Sequence, residues 1–169
     1  MQTSYYWLLI LTGLLTLVGC NQENASPQAV SDAHTYFPIS IEKIPLKLQL
    51  ALTQSEQAQG LMHRDSMPED HGMLFLFKYP GPRSFWMRNT KIPLDLAYFD
   101  ASGRLLEIHP LYPYNENAVR SRSRHVLIVV ETNQGWFRRN NVQPGAQIDL
   151  KALKKAVSAR GHSPDDYSF

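Results

Sequence analysis

Cysteine is almost missing from this chain: Cys20 is the single one in 169 residues. Past that position there can be no disulfide, no zinc–thiolate site and no cysteine nucleophile, so stability must come from a hydrophobic core. Strong charge of either sign is missing too. The formal net charge of +2 is too small to argue for a nucleic-acid partner. The common signatures of catalysis are also absent: no G-x-S-x-G elbow, no H-E-x-x-H and no Gly-rich phosphate loop. Finally, residues Met1 to Val18 carry no charged side chain at all. That segment must be set aside before any fold is considered.

Leu8, Leu9, Ile10, Leu11, Leu14, Leu15 and Leu17 form a compact apolar run, short for a membrane span of about 20 residues. It ends in Leu17-Val18-Gly19-Cys20, which resembles a bacterial lipobox, where the Cys becomes the lipidated first residue. We therefore expect residues 1–20 to be a lipoprotein signal peptide and Cys20 to be the membrane anchor. The expected location is the bacterial cell envelope, facing the periplasm. Asn21 in place of Asp points to the outer membrane. Residues 21–35 are small and polar with one Pro and read as a flexible tether. A single domain over 36–160 follows, long enough to bury a sizeable core, and 161–169 reads as a loose or weakly docked C-terminal tail.

Within the domain, Leu46, Leu48, Leu50 and Leu52 alternate with Lys47, Gln49 and Ala51, the period of a half-buried strand. Thr53 and Glu56 have capping-box spacing, which predicts a short helix from Gln54 to Gln59 ended by Gly60. Further strands are expected at Gly72–Phe77, Ser84–Met87, Leu94–Phe99, Arg104–Ile108, His125–Glu131 and Gln147–Leu150. KYPGPR reads as a breaker-rich connection, Asp100–Gly103 as a hairpin turn and Pro110–Arg124 as a long polar loop. Gln134–Arg139 suits one helical turn, and KALKKAVSAR suits another helix. Many short strands without a βαβ alternation predict a mostly β fold, a compact antiparallel sandwich or barrel with one or two short helices.

The succession QGLMHR, GMLFLF and SFWMRNTKIPLDLAYFD with its DASGR hairpin resembles the bacterial and archaeal family called domain of unknown function 192. VLIVVETNQGWFRRNNVQPGAQIDL resembles the same family's C-terminal segment, so the likeness spans Leu46 to Leu150. The resemblance implies one mostly antiparallel β domain, often exported or membrane-anchored, and no particular activity.

Chemistry is sought first in SFWMRNTKIPLD. On a strand, Phe85 and Met87 face one way and Ser84, Trp86 and Arg88 the other. Trp86 beside Arg88 suits stacking and hydrogen bonding at a surface, whereas Asn89 and Thr90 suit a turn before Pro93. The stretch is then either a structural turn or a ligand site with Arg64, Trp86, Arg88, Asn89, Thr90 and Asp95 as its contacts. A second cluster, Met62, His63, Met67, His71 and Met73, offers the soft ligands that Cu(I) prefers, although Met beside apolar runs is ordinary core filler. Asp65, Glu69 and Asp70 sit on a loop where solvated acids are common. Arg120, Arg122 and Arg124 alternate near Tyr112 and Tyr114 as a basic strip, open to an anionic partner or simply to solvent.

Together these residues describe a lipid-anchored envelope protein that binds a small molecule, a glycan or a protein without catalysis, cofactor or nucleic acid. A periplasmic Cu(I) carrier using the Met/His loop, or a hydrolase of unfamiliar type, are the alternatives.

Overall fold

The computed structural model describes residue 1 and residues 30–169. Cys20 and most of the segments expected to be signal peptide and tether lie outside the described residues. The alternating Leu46–Leu52 segment forms β2 (Ile44–Ala51), preceded by an edge strand β1 (Phe37–Ile41) that the sequence pattern did not announce. The capping box forms as expected: Thr53 caps α1 (Gln54–Gln59), Glu56 bonds back to the Thr53 amide, and Gly60 ends the helix at φ 50. Helix α1 buries none of its own residues.

Strand β3 (His71–Gly81) then pairs with β2 in parallel, Gln49 opposite Met73. This corrects the expectation that βαβ alternation is absent, since β2, α1 and β3 form such a crossover. Strand β3 also runs through KYPG to Gly81, with an irregularity after Leu76. Strand β5 (Leu94–Phe99) and β6 (Leu105–Leu111) make the expected hairpin, its turn held by Asp100 Oδ1, which accepts from the Ser102 and Arg104 amides. β8 (Val126–Asn133) fits between β3 and β5. The large sheet is thus six-stranded in the order β1-β2-β3-β8-β5-β6. A separate two-stranded ribbon pairs β4 (Ser84–Phe85) with β7 (Val119–Arg120). The fold is mostly β, and the described strands close no barrel.

Each face of the large sheet carries its own core. Ile39, Leu48, Leu50, Leu74, Phe99, Ile128 and Val130 face one way. They are covered by α2 (Trp136–Arg139) and α3 (Leu150–Ala159), which buries Leu153, Ala156 and Val157 at helical spacing. Ala51, Met73, Phe75, Leu96, Tyr98 and Val129 face the other way, under the β2–β3 crossover and the ribbon. Among the described residues three α-helices form, each in one of the three segments read as helical. Gln147–Leu150 is no strand: Gln147 and Ile148 make only isolated bridges, and Asp149 instead caps α3 by accepting from the Ala152 amide. The segment after Arg160 is docked rather than loose, with Tyr167 buried and the Ser168 amide donating to the Lys78 carbonyl.

Candidate functional site

The residues gathered from SFWMRNTKIPLD part company in three directions. Asn89 sits at φ 52, and its carbonyl accepts from the His63 amide. Thr90 is buried, its hydroxyl donating to the Arg88 carbonyl at 3.0 Å while its own carbonyl accepts from the Tyr114 amide. The backbone carbonyls of these two residues and the Thr90 hydroxyl therefore build a turn that ties three loops together. Trp86 and Arg88 stand outside it: Trp86 is 47% exposed, and the Arg88 guanidinium lies 4.9 Å from its ring centroid. Phe85 and Met87 turn inward, as strand alternation requires.

Arg64 lies with a different group. It donates to Gln49 Oε1 at 2.5 Å and to the Tyr36 hydroxyl at 3.2 Å. Across the sheet from Gln49, the register runs Met73, Glu131, Leu96, so Glu131 falls in the middle of an apolar row. It is 5% exposed, and burial drives its carboxyl up to about 8 against the opposing pull of the Arg64 guanidinium. Neither Glu131 nor Gln49 was singled out from the sequence. The signal was present, because Glu131 has the same parity as the inward Val129.

Of the sulfur and imidazole cluster, Met67 and Met73 are buried in the core beside Met87. His71 packs edge-on to Tyr36 at 4.7 Å, and His63 is an exposed residue at φ 62. Among the described residues, no three His, Cys, Asp or Glu side chains come together as a metal site. Asp65 pairs with Lys91 and Glu69 with Arg139. Asp70 accepts from the indole N–H of the fully buried Trp136 at 3.1 Å, which pins α2 to the crossover.

Asp95 is on the opposite face of the large sheet from the ribbon. It forms the floor of an open cleft of about 590 Å³ between β6 and α2. Its Oδ2 accepts from the Gly135 amide at 2.8 Å. Burial raises its carboxyl above the usual carboxylate value, opposed by the Gly135 amide and by Arg138 and Arg139. Gly135 caps α2 at φ 83, a conformation glycine adopts without steric cost, and so presents its N–H to Asp95. Gln134 fixes this corner by donating to the Leu111 carbonyl at 3.2 Å. Ile108, Pro110, Phe137, Val142 and Pro144 make the apolar walls, while Arg138, Asn141, Gln143 and Tyr112 complete the lining. No Ser, Thr, His or Lys lines it. Gln134 to Asn141 were missed as site residues because QGWFRRNN reads as a helical turn and its meeting with Asp95 is long-range.

A volume within the usual few hundred Å³ of ligand pockets, apolar walls and a few convergent polar groups make this cleft on a six-stranded mixed sheet the candidate site. The family model described as an uncharacterized ACR, domain of unknown function 192, matches residues 35–150, and the chain belongs to that family. A crystal structure from Sinorhizobium meliloti 1021, described as a proposed transcription regulator, shares 33% identity at a TM-score of 0.67. That match covers 70% of this chain and 96% of the other. A protein of unknown function from Novosphingobium aromaticivorans DSM 12444 also shares 33% identity, at a TM-score of 0.64, over 68% of this chain and 84% of the other. No curated protein matches the chain.

Proposed function

We propose that this protein is an envelope lipoprotein whose domain holds a small, hydroxyl-rich ligand, a saccharide, in the Asp95 cleft without changing it covalently. The observation that carries the reading is the cleft itself, lined by Asp95, Arg138 and Asn141 as acceptors and donors together with Tyr112. Carboxylate, amide and guanidinium groups bond hydroxyls in pairs, and an aromatic ring packs against the apolar face of a sugar. Asp95 already accepts from the Gly135 amide, and no Ser, Thr, His or Lys lines the cleft, so the groups that meet such a ligand are suited to hydrogen bonding. The regulator description of the Sinorhizobium chain is not carried over, since the net charge of +2 gives no electrostatic footprint for DNA across the molecule.

Two experiments test the two halves. In titrations of a saccharide panel followed by calorimetry, one class should bind, and Asp95→Ala should weaken it at least about tenfold, the loss of one charge-assisted hydrogen bond. An Asp95→Ala protein that melts normally and binds as well as the parent would sink the cleft reading. For the anchor, wild type should take up labelled palmitate and fractionate with membranes, whereas Cys20→Ser should do neither. Equal labelling of both proteins would show that Cys20 is not the lipidated residue.

A further inference from the structure

We propose that the outer face of the β4–β7 ribbon docks on an anionic phospholipid surface. The ribbon's inner side chains, Phe85 and Val119, pack on the core under the Tyr98 hydroxyl, which donates to the Val119 carbonyl at 2.9 Å. Its outer side is therefore held rigid. There Ser84 pairs in register with Arg120, which places Arg120 beside Trp86 and the stacked Arg88. Arg122 and Arg124 continue the alternation and are exposed.

The acids around this face leave it cationic. Glu116 pairs with Arg88 at 3.5 Å. Glu107 is turned inward, where Oε1 accepts from the Arg122 and Ser123 amides and Oε2 meets His109. Three arginines, Arg120, Arg122 and Arg124, make no ion pair among the described residues. The aromatic residues decide the occupant. Two exposed rings stand beside these arginines: Trp86, stacked with Arg88, and Tyr114, whose amide donates to the Thr90 carbonyl two residues past Arg88. A soluble polyanion needs only the guanidinium groups. Rings with a polar tip, set among arginines, match the headgroup zone of a bilayer, where Trp and Tyr concentrate and guanidinium binds phosphate bidentately.

The choice of a membrane rests on the envelope reading, so the test omits the anchor. Residues 30–169 contain both cores, and the Sinorhizobium chain, covered over 96% of its length, consists of little besides this domain. This fragment is sedimented with vesicles of phosphatidylcholine alone or with phosphatidylglycerol added, at low salt and at about 0.5 M salt, where the Debye length falls to a few Å. We expect binding to the anionic vesicles only, weakened by salt. It should fall at least about tenfold in Arg120→Gln/Arg122→Gln and again in Trp86→Ala, with melting curves unchanged. Three results would overturn the proposal: no sedimentation with anionic vesicles, sedimentation insensitive to both variants, or binding to duplex DNA or polyphosphate without binding to vesicles. Palmitate labelling at Cys20 is read separately, so failure here leaves the anchor reading standing or falling on its own.

Discussion

A Glu131→Gln protein is expected to be more stable than its parent at pH 8 by about 3 kcal/mol, and no more stable at pH 4. The reason is the place of Glu131 in the sheet. Met73 and Leu96 are its register partners on either side, and its carboxyl titrates near 8 rather than near 4.5 because burial penalises the charged form. A raised acid loses stability as pH rises. Below the unfolded value both states hold the proton and nothing is at stake. Between that value and about 8 the unfolded chain gives up its proton while the folded one keeps it, so stability falls by about 1.4 kcal/mol per pH unit. The full shift would amount to somewhat more than about 4 kcal/mol, and relaxation around the ion reduces it. Gln keeps the shape and removes the charge. Urea unfolding between pH 4 and 9 reads the difference directly. Parallel stability curves for the two proteins would mean that Glu131 is ionised and satisfied in the folded state. The Arg64 guanidinium is the one charged group opposing the shift, so Arg64→Met should carry the fall in the parent's curve to higher pH at the same slope.

How much of this was legible depends on whether the signal was local. The Leu46–Leu52 alternation, the Thr53–Glu56 cap, the Leu94–Phe99 strand and the Asp100 turn each carry their cause within a few residues, and each formed where expected. The parallel pairing of β2 with β3 did not show. Its crossover helix is six residues long and buries nothing, so it has no apolar stripe to announce a βαβ unit. β7 is two residues long and lies in an Arg-rich stretch, and β1 is an edge strand with a Pro. The site failed to assemble from sequence for a related reason. Trp86, Arg88 and Asp95 are close along the chain, but Asp95 has the opposite parity to Leu94 and Leu96. It therefore leaves the ribbon's side of the sheet for the side of Gly135 and Phe137. Arg64 was drawn instead to Gln49, fifteen residues upstream. Glu131 looked like the charged end of an apolar strand, and only the register with Met73 shows that it lies within the sheet.

The same register makes Gly72 the position least tolerant of a methyl group. Gly72 stands between Leu48 of β2 and Thr132 of β8 in the centre of the large sheet. A Cβ there would lie 2.3 Å from the Glu131 carbonyl oxygen and 2.9 Å from Leu48 Cδ2. The leucine can rotate, but the oxygen is backbone and moves only with its strand. β8 would have to retreat from β3, and that seam carries the cores on both faces. Its ladder hydrogen bonds would lengthen together with the packing behind them. The expected cost of Gly72→Ala is therefore more than about 4 kcal/mol, in the range reserved for overpacking of a core with no room to relax. The backbone conformation is not the obstacle, which a second glycine of the same strand makes testable. At Gly81 a Cβ meets nothing nearer than the Arg83 guanidinium at 3.5 Å, the far end of a flexible side chain. Gly81→Ala should change stability by less than about 1 kcal/mol, and a small gain is expected because Ala restricts the unfolded chain. Urea denaturation of both proteins, followed by Trp fluorescence, gives the comparison. If Gly72→Ala unfolds at the same midpoint as Gly81→Ala, then β3 and β8 are not as closely opposed as their register requires, and the burial of Glu131 loses its cause.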